Sequence, residues 1–148
     1  MKCTEILFSP TGGTKRVADI VAAKLAEETA LIDLTVPGFS SPQDALGAED
    51  AAVIAVPSFG GRVPAVAAER LQKIRGNGAK AVILCVYGNR AYEDTLAELQ
   101  DRAEQAGFSV VAAIAAVAEH SIMRQYAAGR PDERDRAQLE NFAERILA

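Results

Sequence analysis

Residue types that build metal and disulfide sites are scarce in this sequence. It contains no tryptophan, one histidine and two cysteines, Cys3 and Cys85. The cysteines lack C-x-x-C spacing, which excludes a disulfide framework or a cysteine metal site. Each lies in an apolar run, so we expect buried structural thiols in a reducing compartment. His120 has no second ligand at metal-binding spacing, which favours a structural or surface role and no metal site.

Long apolar runs and an excess of positive charge are also missing. No apolar run reaches the ~20 residues of a membrane-spanning helix, and the amino terminus does not resemble a signal peptide. The formal net charge is −4, and nucleic-acid backbones require basic surfaces. We therefore expect a cytoplasmic protein whose partners include neither a membrane nor a nucleic acid.

The chain has the size and composition of one ordinary globular domain. Of its 148 residues, 49% are hydrophobic and 24% are charged, which is enough to build one sizeable core. The sequence shows no internal repeat, low-complexity segment or second domain. We expect a single domain over residues 1–148, and a monomer.

Strand-like and helix-like patterns alternate along the sequence. Periodicity predicts strands at 4–8, 30–34, 51–56, 79–87 and 108–117, and helices at 14–29, 64–75, 92–106 and 131–147. The alanine-rich segment 108–117 also suits a helix, because alanine is a poor strand former. Alternation of this kind predicts an α/β fold, a parallel sheet with helices on both faces. Right-handed crossovers between five strands fit the strand order 2-1-3-4-5.

The loop between the first predicted strand and helix has the composition of a phosphate-binding site. Backbone N–H groups converge there at the positive end of the helix dipole, which attracts anions. The loop is neither a G-x-x-x-x-G-K-[ST] nor a G-x-G-x-x-G motif. An ordinary turn that caps the helix is the alternative. The candidate residues are Ser9, Pro10, Thr11, Gly12, Gly13 and Thr14.

Two further glycine-bearing loops follow the third and fourth predicted strands. They occupy residues 57–63 and 88–91. In a sheet of order 2-1-3-4-5, ligands bind outside the carboxyl ends of the strands, where strands one and three adjoin. We therefore expect three loops that are distant in sequence to form one site.

These three loops resemble those of flavodoxins. The first resembles the S/T-x-T-G-x-T loop that holds the phosphate of FMN, and Phe59 and Tyr92 match aromatic positions that stack on the flavin ring. The resemblance implies a three-layer sandwich with one FMN and no FAD or NAD. It also implies a peptide at 59–61 that changes orientation with the redox state of the flavin. Flavin-facing candidates are Pro57, Ser58, Phe59, Gly60, Gly61, Tyr87, Gly88, Asn89, Arg90, Tyr92 and Asp94.

Segments 60–64, 86–94, 119–121 and 129–132 are similar to the flavodoxin half of fused flavodoxin–ferredoxin proteins of anaerobic bacteria. Those proteins continue into a cysteine-rich module whose iron–sulfur clusters each need about four cysteines. This chain ends at Ala148 and contains two cysteines. The resemblance thus implies a separate redox partner, such as a ferredoxin-type or reductase protein. It would also place His120 near the flavin edge.

Three functions remain open on the sequence. An electron carrier is favoured, because the chain is short and has little sequence to spare for a substrate pocket. An FMN-dependent NAD(P)H:quinone oxidoreductase or flavin reductase is the second. A flavin-free binding domain that keeps the fold is the third, since fold alone does not decide function.

Overall fold

The computed structural model describes residues 3–9, 13–25, 29–35, 47, 50–57, 63–87 and 93–117. His120 and the predicted helix 131–147 lie outside these ranges. The elements are, in order, β1 (Cys3–Leu7), α1 (Gly13–Leu25), β2 (Thr29–Asp33), β3 (Ala51–Pro57), α2 (Ala65–Leu71), β4 (Lys80–Tyr87), α3 (Glu93–Gln105) and β5 (Ser109–Val117). No helix in the described ranges is long and apolar enough to cross a membrane.

The five strands form one parallel sheet in the order β2-β1-β3-β4-β5. This confirms the predicted α/β class and strand order. Helix α1 packs on one face, where Val17 and Val21 join Leu7 in a buried cluster. Helices α2 and α3 supply Leu71 and Leu99 to the cluster on the opposite face. The helix layers on both faces explain why the sequences of β3 and β4 are almost entirely apolar, because central parallel strands are covered on each side.

The ends of two helices differ from the prediction. Helix α1 was expected to continue to Thr29, but it ends at Leu25 and Thr29 begins β2, opposite Cys3 of β1. The β-branched side chain of threonine suits this position in a sheet. Helix α2 was expected to reach residue 75, but it ends at Leu71. Beyond it, Ile74 N–H donates to the Leu71 carbonyl in a tighter turn, which keeps Ile74 buried and explains the extended apolar spacing.

The alanine-rich segment before residue 118 is a strand and not a helix. Strand β5 pairs in parallel with β4 along its length, with a register shift between Ala81 and Val82. Pairing with β4 supplies backbone hydrogen bonds, and these outweigh the weak strand propensity of alanine. Tertiary context therefore decided between the two structures that the sequence left open.

Candidate functional site

The carboxyl ends of β1, β3 and β4 lie side by side. Leu7 is paired with Ala55, and Pro57 is paired with Val86. Beyond the last residue of β1, Phe8 N–H donates to the Ala55 carbonyl at 3.1 Å. The loops that follow these strands therefore start at one edge of the sheet, as predicted. Pro57 is the last residue of β3 and is buried.

The first loop is closed by a hydrogen bond between its two ends. Ser9 Oγ accepts the N–H of Lys15 in the first turn of α1 at 3.0 Å. The N–H groups at the start of a helix lack intrahelical partners, and Ser9 satisfies one of them. Helix α1 begins at Gly13, so the loop spans only a few residues between β1 and the helix.

A second set of bonds joins the loop to the end of β2. Ser9 N–H donates to Thr35 Oγ1 at 2.8 Å, and Thr35 N–H donates to Asp33 Oδ1 at 2.8 Å. Leu34 N–H donates to the Leu7 carbonyl. The sequence analysis did not single out Thr35 and Asp33. Their D-x-T spacing directly after a strand is typical of an Asx turn and was the available signal.

The first turn of α1 carries basic residues and no acidic residue. Lys15 and Arg16 lie there beside the buried Thr14. Lys15 Nζ binds Asp19 Oδ2 at 2.8 Å, and this hydrogen bond raises the pKa of the lysine. Together with the helix dipole, these groups favour an anion at this end of α1. The chemistry of this turn therefore fits a phosphate group.

The other two loops are described only at their flanks. Pro57 precedes the second loop and Tyr87, the last residue of β4, precedes the third, while Asp94 lies in the first turn of α3. The backbone thus places these candidates around the same edge as Ser9. The predicted site residues outside the described ranges are Pro10, Thr11, Gly12, Ser58, Phe59, Gly60, Gly61, Gly88, Asn89, Arg90 and Tyr92.

Both cysteines are free and buried, which confirms the predicted burial of the two thiols. Burial raises the pKa of Cys3 to about 11, with a smaller contribution from the nearby Glu5 carboxylate. Burial likewise raises the pKa of Cys85 to about 12. Thiols held protonated in this way are poor nucleophiles and metal ligands.

An open groove of about 680 Å³ lies near α2 and α3, with Phe8, Val63 and Arg102 among its lining residues. It is on the sheet face opposite α1, because Val63 belongs to the α2–α3 cluster. The groove therefore does not coincide with the positively charged turn at Thr14 and Lys15.

No protein-family model and no curated protein sequence matches the chain. Solved structures do. Oxidised flavodoxin 1 from Bacillus cereus has a TM-score of 0.65 at 18% identity, covering 99% of this chain and 97% of that one. The flavodoxin of Streptococcus pneumoniae TIGR4 has a TM-score of 0.64 at 23% identity, covering 99% and 98%. Rubredoxin oxygen:oxidoreductase from the anaerobe Desulfovibrio gigas has a TM-score of 0.66 at 14% identity, covering 98% of this chain but 35% of that one. These similarities establish a flavodoxin-like fold.

Proposed function

We propose that this chain binds one FMN at the carboxyl edge of its sheet and carries electrons between redox partner proteins. One observation carries the proposal. The first loop leaves β1 at Ser9 and returns to the positively charged start of α1, where Ser9 Oγ binds Lys15 N–H. In a flavodoxin-like fold this loop lies at the edge where ligands bind.

The phosphate of FMN is assigned to the first loop. The Thr11 and Thr14 hydroxyls and the backbone N–H groups between Pro10 and Lys15 hold it, and the dipole of α1 favours its negative charge. Thr14 is 4% exposed, so its hydroxyl lies in an environment where a donor to a charged oxygen counts strongly. Ser9 and Thr35 hold the strand end of the loop in place.

The flavin ring is assigned to the second and third loops. Phe59 and Tyr92 cover its faces, because a flat apolar ring is best buried between aromatic side chains. The flavin supplies the redox chemistry, and the chain supplies binding and orientation. The other contacts to the ring and its ribityl chain come from Pro57, Ser58, Gly60, Gly61, Tyr87, Gly88, Asn89, Arg90 and Asp94.

The partners are proposed to be redox proteins, such as ferredoxin-type or reductase proteins. The flavodoxins of similar structure are matched over nearly their whole length, which supports a carrier. The resemblance to the flavodoxin half of fused flavodoxin–ferredoxin proteins supports an iron–sulfur partner. We place this carrier in the cytoplasm, as a monomer, where the free thiols of Cys3 and Cys85 stay reduced.

Binding is tested by adding FMN, FAD and riboflavin separately to the flavin-free chain and measuring flavin fluorescence. We expect one FMN per chain and no stoichiometric FAD. Thr14→Val keeps the side-chain shape but removes a donor to phosphate, a bond of ~1.5–3 kcal/mol. FMN affinity should therefore fall about tenfold to a hundredfold, and riboflavin affinity should hardly change.

Thr29→Val is the matched control, because Thr29 is exposed at the opposite edge of the sheet, paired with Cys3. It should leave FMN affinity unaltered. Equal losses for FMN and riboflavin in Thr14→Val would show that the loop is not a phosphate site. No flavin bound at saturating FMN would refute the proposed function.

Carrier and enzyme are separated by anaerobic turnover with the FMN-loaded chain. A carrier oxidises NADH slowly by itself and reduces an acceptor protein only after a separate donor protein has supplied the electrons. Sustained NADH oxidation with a quinone and no added protein would instead identify an oxidoreductase.

A further inference from the structure

The hydrogen-bond ladder between β1 and β2 stops at the start of the first loop. Leu7 is paired with Asp33, so Phe8 lies opposite Leu34. Leu34 N–H donates to the Leu7 carbonyl at 2.6 Å. In a parallel ladder, a residue that donates to the neighbouring strand accepts from the residue two places further along that strand. Regular pairing would therefore have Ser9 N–H donate to the Leu34 carbonyl.

Two side chains take the place of that backbone bond. Ser9 N–H donates to Thr35 Oγ1 at 2.8 Å, and the Leu34 carbonyl accepts from Arg70 Nη1 at 2.6 Å. Thr35 is itself held in place, because its N–H donates to Asp33 Oδ1. Both groups of the missing bond thus have a partner, and the ladder ends before Ser9.

Arg70 is well suited to bind this carbonyl. It is half-buried and is the last residue but one of α2, on the sheet face opposite α1. Leu34 is fully buried in the cluster that α2 covers, and a buried carbonyl requires a donor. The guanidinium group is always charged, and a charged donor forms a stronger bond than a neutral N–H. Arg70 therefore outcompetes Ser9 N–H for the Leu34 carbonyl.

The position of Ser9 matters for the predicted phosphate loop. Its Oγ accepts the N–H of Lys15 in the first turn of α1 at 3.0 Å. Pairing of Ser9 with Leu34 would extend β1 by one residue and shift this hydroxyl relative to α1. The bond from Arg70 to Leu34 thus bears on the start of a helix that lies on the other face of the sheet.

We propose that Arg70 is a positioning residue for the first loop: it occupies the Leu34 carbonyl and so leaves Ser9 N–H to Thr35 and Ser9 Oγ to Lys15. Without the guanidinium group, Ser9 pairs with Leu34 in part of the molecules, and in those the anion site is incomplete. This inference rests on the proposed function as far as the anion is FMN phosphate, but the effect on Ser9 and Lys15 does not depend on flavin.

The first test compares the dissociation constants of FMN and riboflavin in wild type and Arg70→Met. The constant for FMN should rise about tenfold, as expected if about a tenth of the molecules keep a complete anion site. Riboflavin lacks the phosphate, so its constant should hardly change. Arg70→Lys keeps a cationic donor and should restore part of the FMN affinity. Arg75→Met, the same change at an exposed arginine just beyond α2, should match wild type.

A double variant tests whether Arg70 acts through Thr35. Thr35→Val removes the acceptor that holds Ser9 N–H. If Arg70 acts by keeping Ser9 on Thr35, the combination of Thr35→Val with Arg70→Met should bind FMN about as weakly as Thr35→Val alone. Losses that add would show two independent effects and would overturn the proposal.

The second test needs no flavin. Amide hydrogen exchange at Lys15 should speed up in Arg70→Met relative to exchange at Val21 in the middle of α1, whereas a general loss of stability would accelerate both. Arg70→Gln shortens the side chain and removes its charge, so it should give a smaller change of the same kind. This variant serves if Arg70→Met does not fold. An unchanged ratio of the two exchange rates overturns the role of Arg70.

The outcomes distinguish the two proposals. FMN binding with no loss in Arg70→Met, or with equal losses for FMN and riboflavin, overturns the role of Arg70 and leaves the proposed function intact. No flavin binding in wild type, with faster relative exchange at Lys15 in Arg70→Met, refutes FMN binding and retains Arg70 as the residue that positions the loop.

Discussion

Gly76 lies where two turns at the amino edge of the sheet approach each other. Gly76 N–H donates to the Ala106 carbonyl at 2.7 Å, and Gly78 N–H donates to the Gly107 carbonyl at 2.8 Å. A Cβ at Gly76 would lie 2.7 Å from the Gly107 carbonyl carbon, 2.7 Å from Phe108 N and 2.8 Å from Phe108 Cγ. Two of these three atoms belong to backbone, which has little freedom to move aside.

Two effects of opposite sign decide the stability of Gly76→Ala. Alanine restricts the unfolded chain, and this alone would stabilise the protein by ~0.4–1 kcal/mol. Overpacking against fixed atoms costs ~1–3 kcal/mol, and more where the backbone must shift. Since the contacts at Gly76 are far shorter than van der Waals distance, the second effect should dominate. We expect a net loss of about 2 kcal/mol.

The assay is urea unfolding followed by circular dichroism, where the midpoint should fall and the slope should stay constant. The matched control is Gly47→Ala, whose added Cβ has one near neighbour among the described residues, Asp50 Oδ2, at an ordinary 3.8 Å. It should stay within about 0.5 kcal/mol of wild type or gain slightly. If Gly76→Ala proves as stable as Gly47→Ala, the close approach of the two turns is refuted.

Three further predictions concern β1 and the loop after it. Thr35→Val removes the acceptor of Ser9 N–H, so the free energy of unfolding should fall by ~1–3 kcal/mol and FMN should bind more weakly, as fluorescence titration will show. Burial raises the pKa of Glu5 in the folded chain to about 8, so its contribution to the free energy of unfolding is complete below pH 4.5 and is lost as the pH rises through about 8, at up to ~1.4 kcal/mol per pH unit. The free energy of unfolding of Glu5→Gln should lack this decline. Thr4→Val replaces a buried hydroxyl without a described hydrogen-bond partner, so its urea midpoint should equal or exceed that of wild type; a loss above 1 kcal/mol would contradict this.

The order of strands and helices was determined by the sequence itself. Apolar runs such as residues 51–56 and helical spacing such as that of Val17 and Val21 are local signals, and they predicted the elements and the strand order that the structure has. The glycine and threonine residues around the start of α1 are a local signal for anion binding, because small and hydroxylated residues leave backbone N–H groups open to an anion. The phosphate loop predicted from them stays a prediction.

Tertiary structure decided what local signals leave open. The segment after Phe108 suits a helix or a strand, and pairing with β4 makes it a strand. Helical spacing continued past Leu71, but a tight turn buries Ile74 without extending the helix. The ends of helices are poorly marked in sequence, because a terminal residue has nearly the same free energy in the helix as in a turn.

The neighbours of Ser9 and Glu5 also depended on the fold. Thr35 is 26 residues from Ser9 in sequence, yet it accepts its N–H because β2 and β1 end together. Glu5 is an acidic residue in β1, and nothing in its sequence neighbourhood shows that it will be 6% exposed. A buried carboxyl group of this kind arises only in the folded sheet, because packing by neighbouring elements, and not the local sequence, excludes water from it.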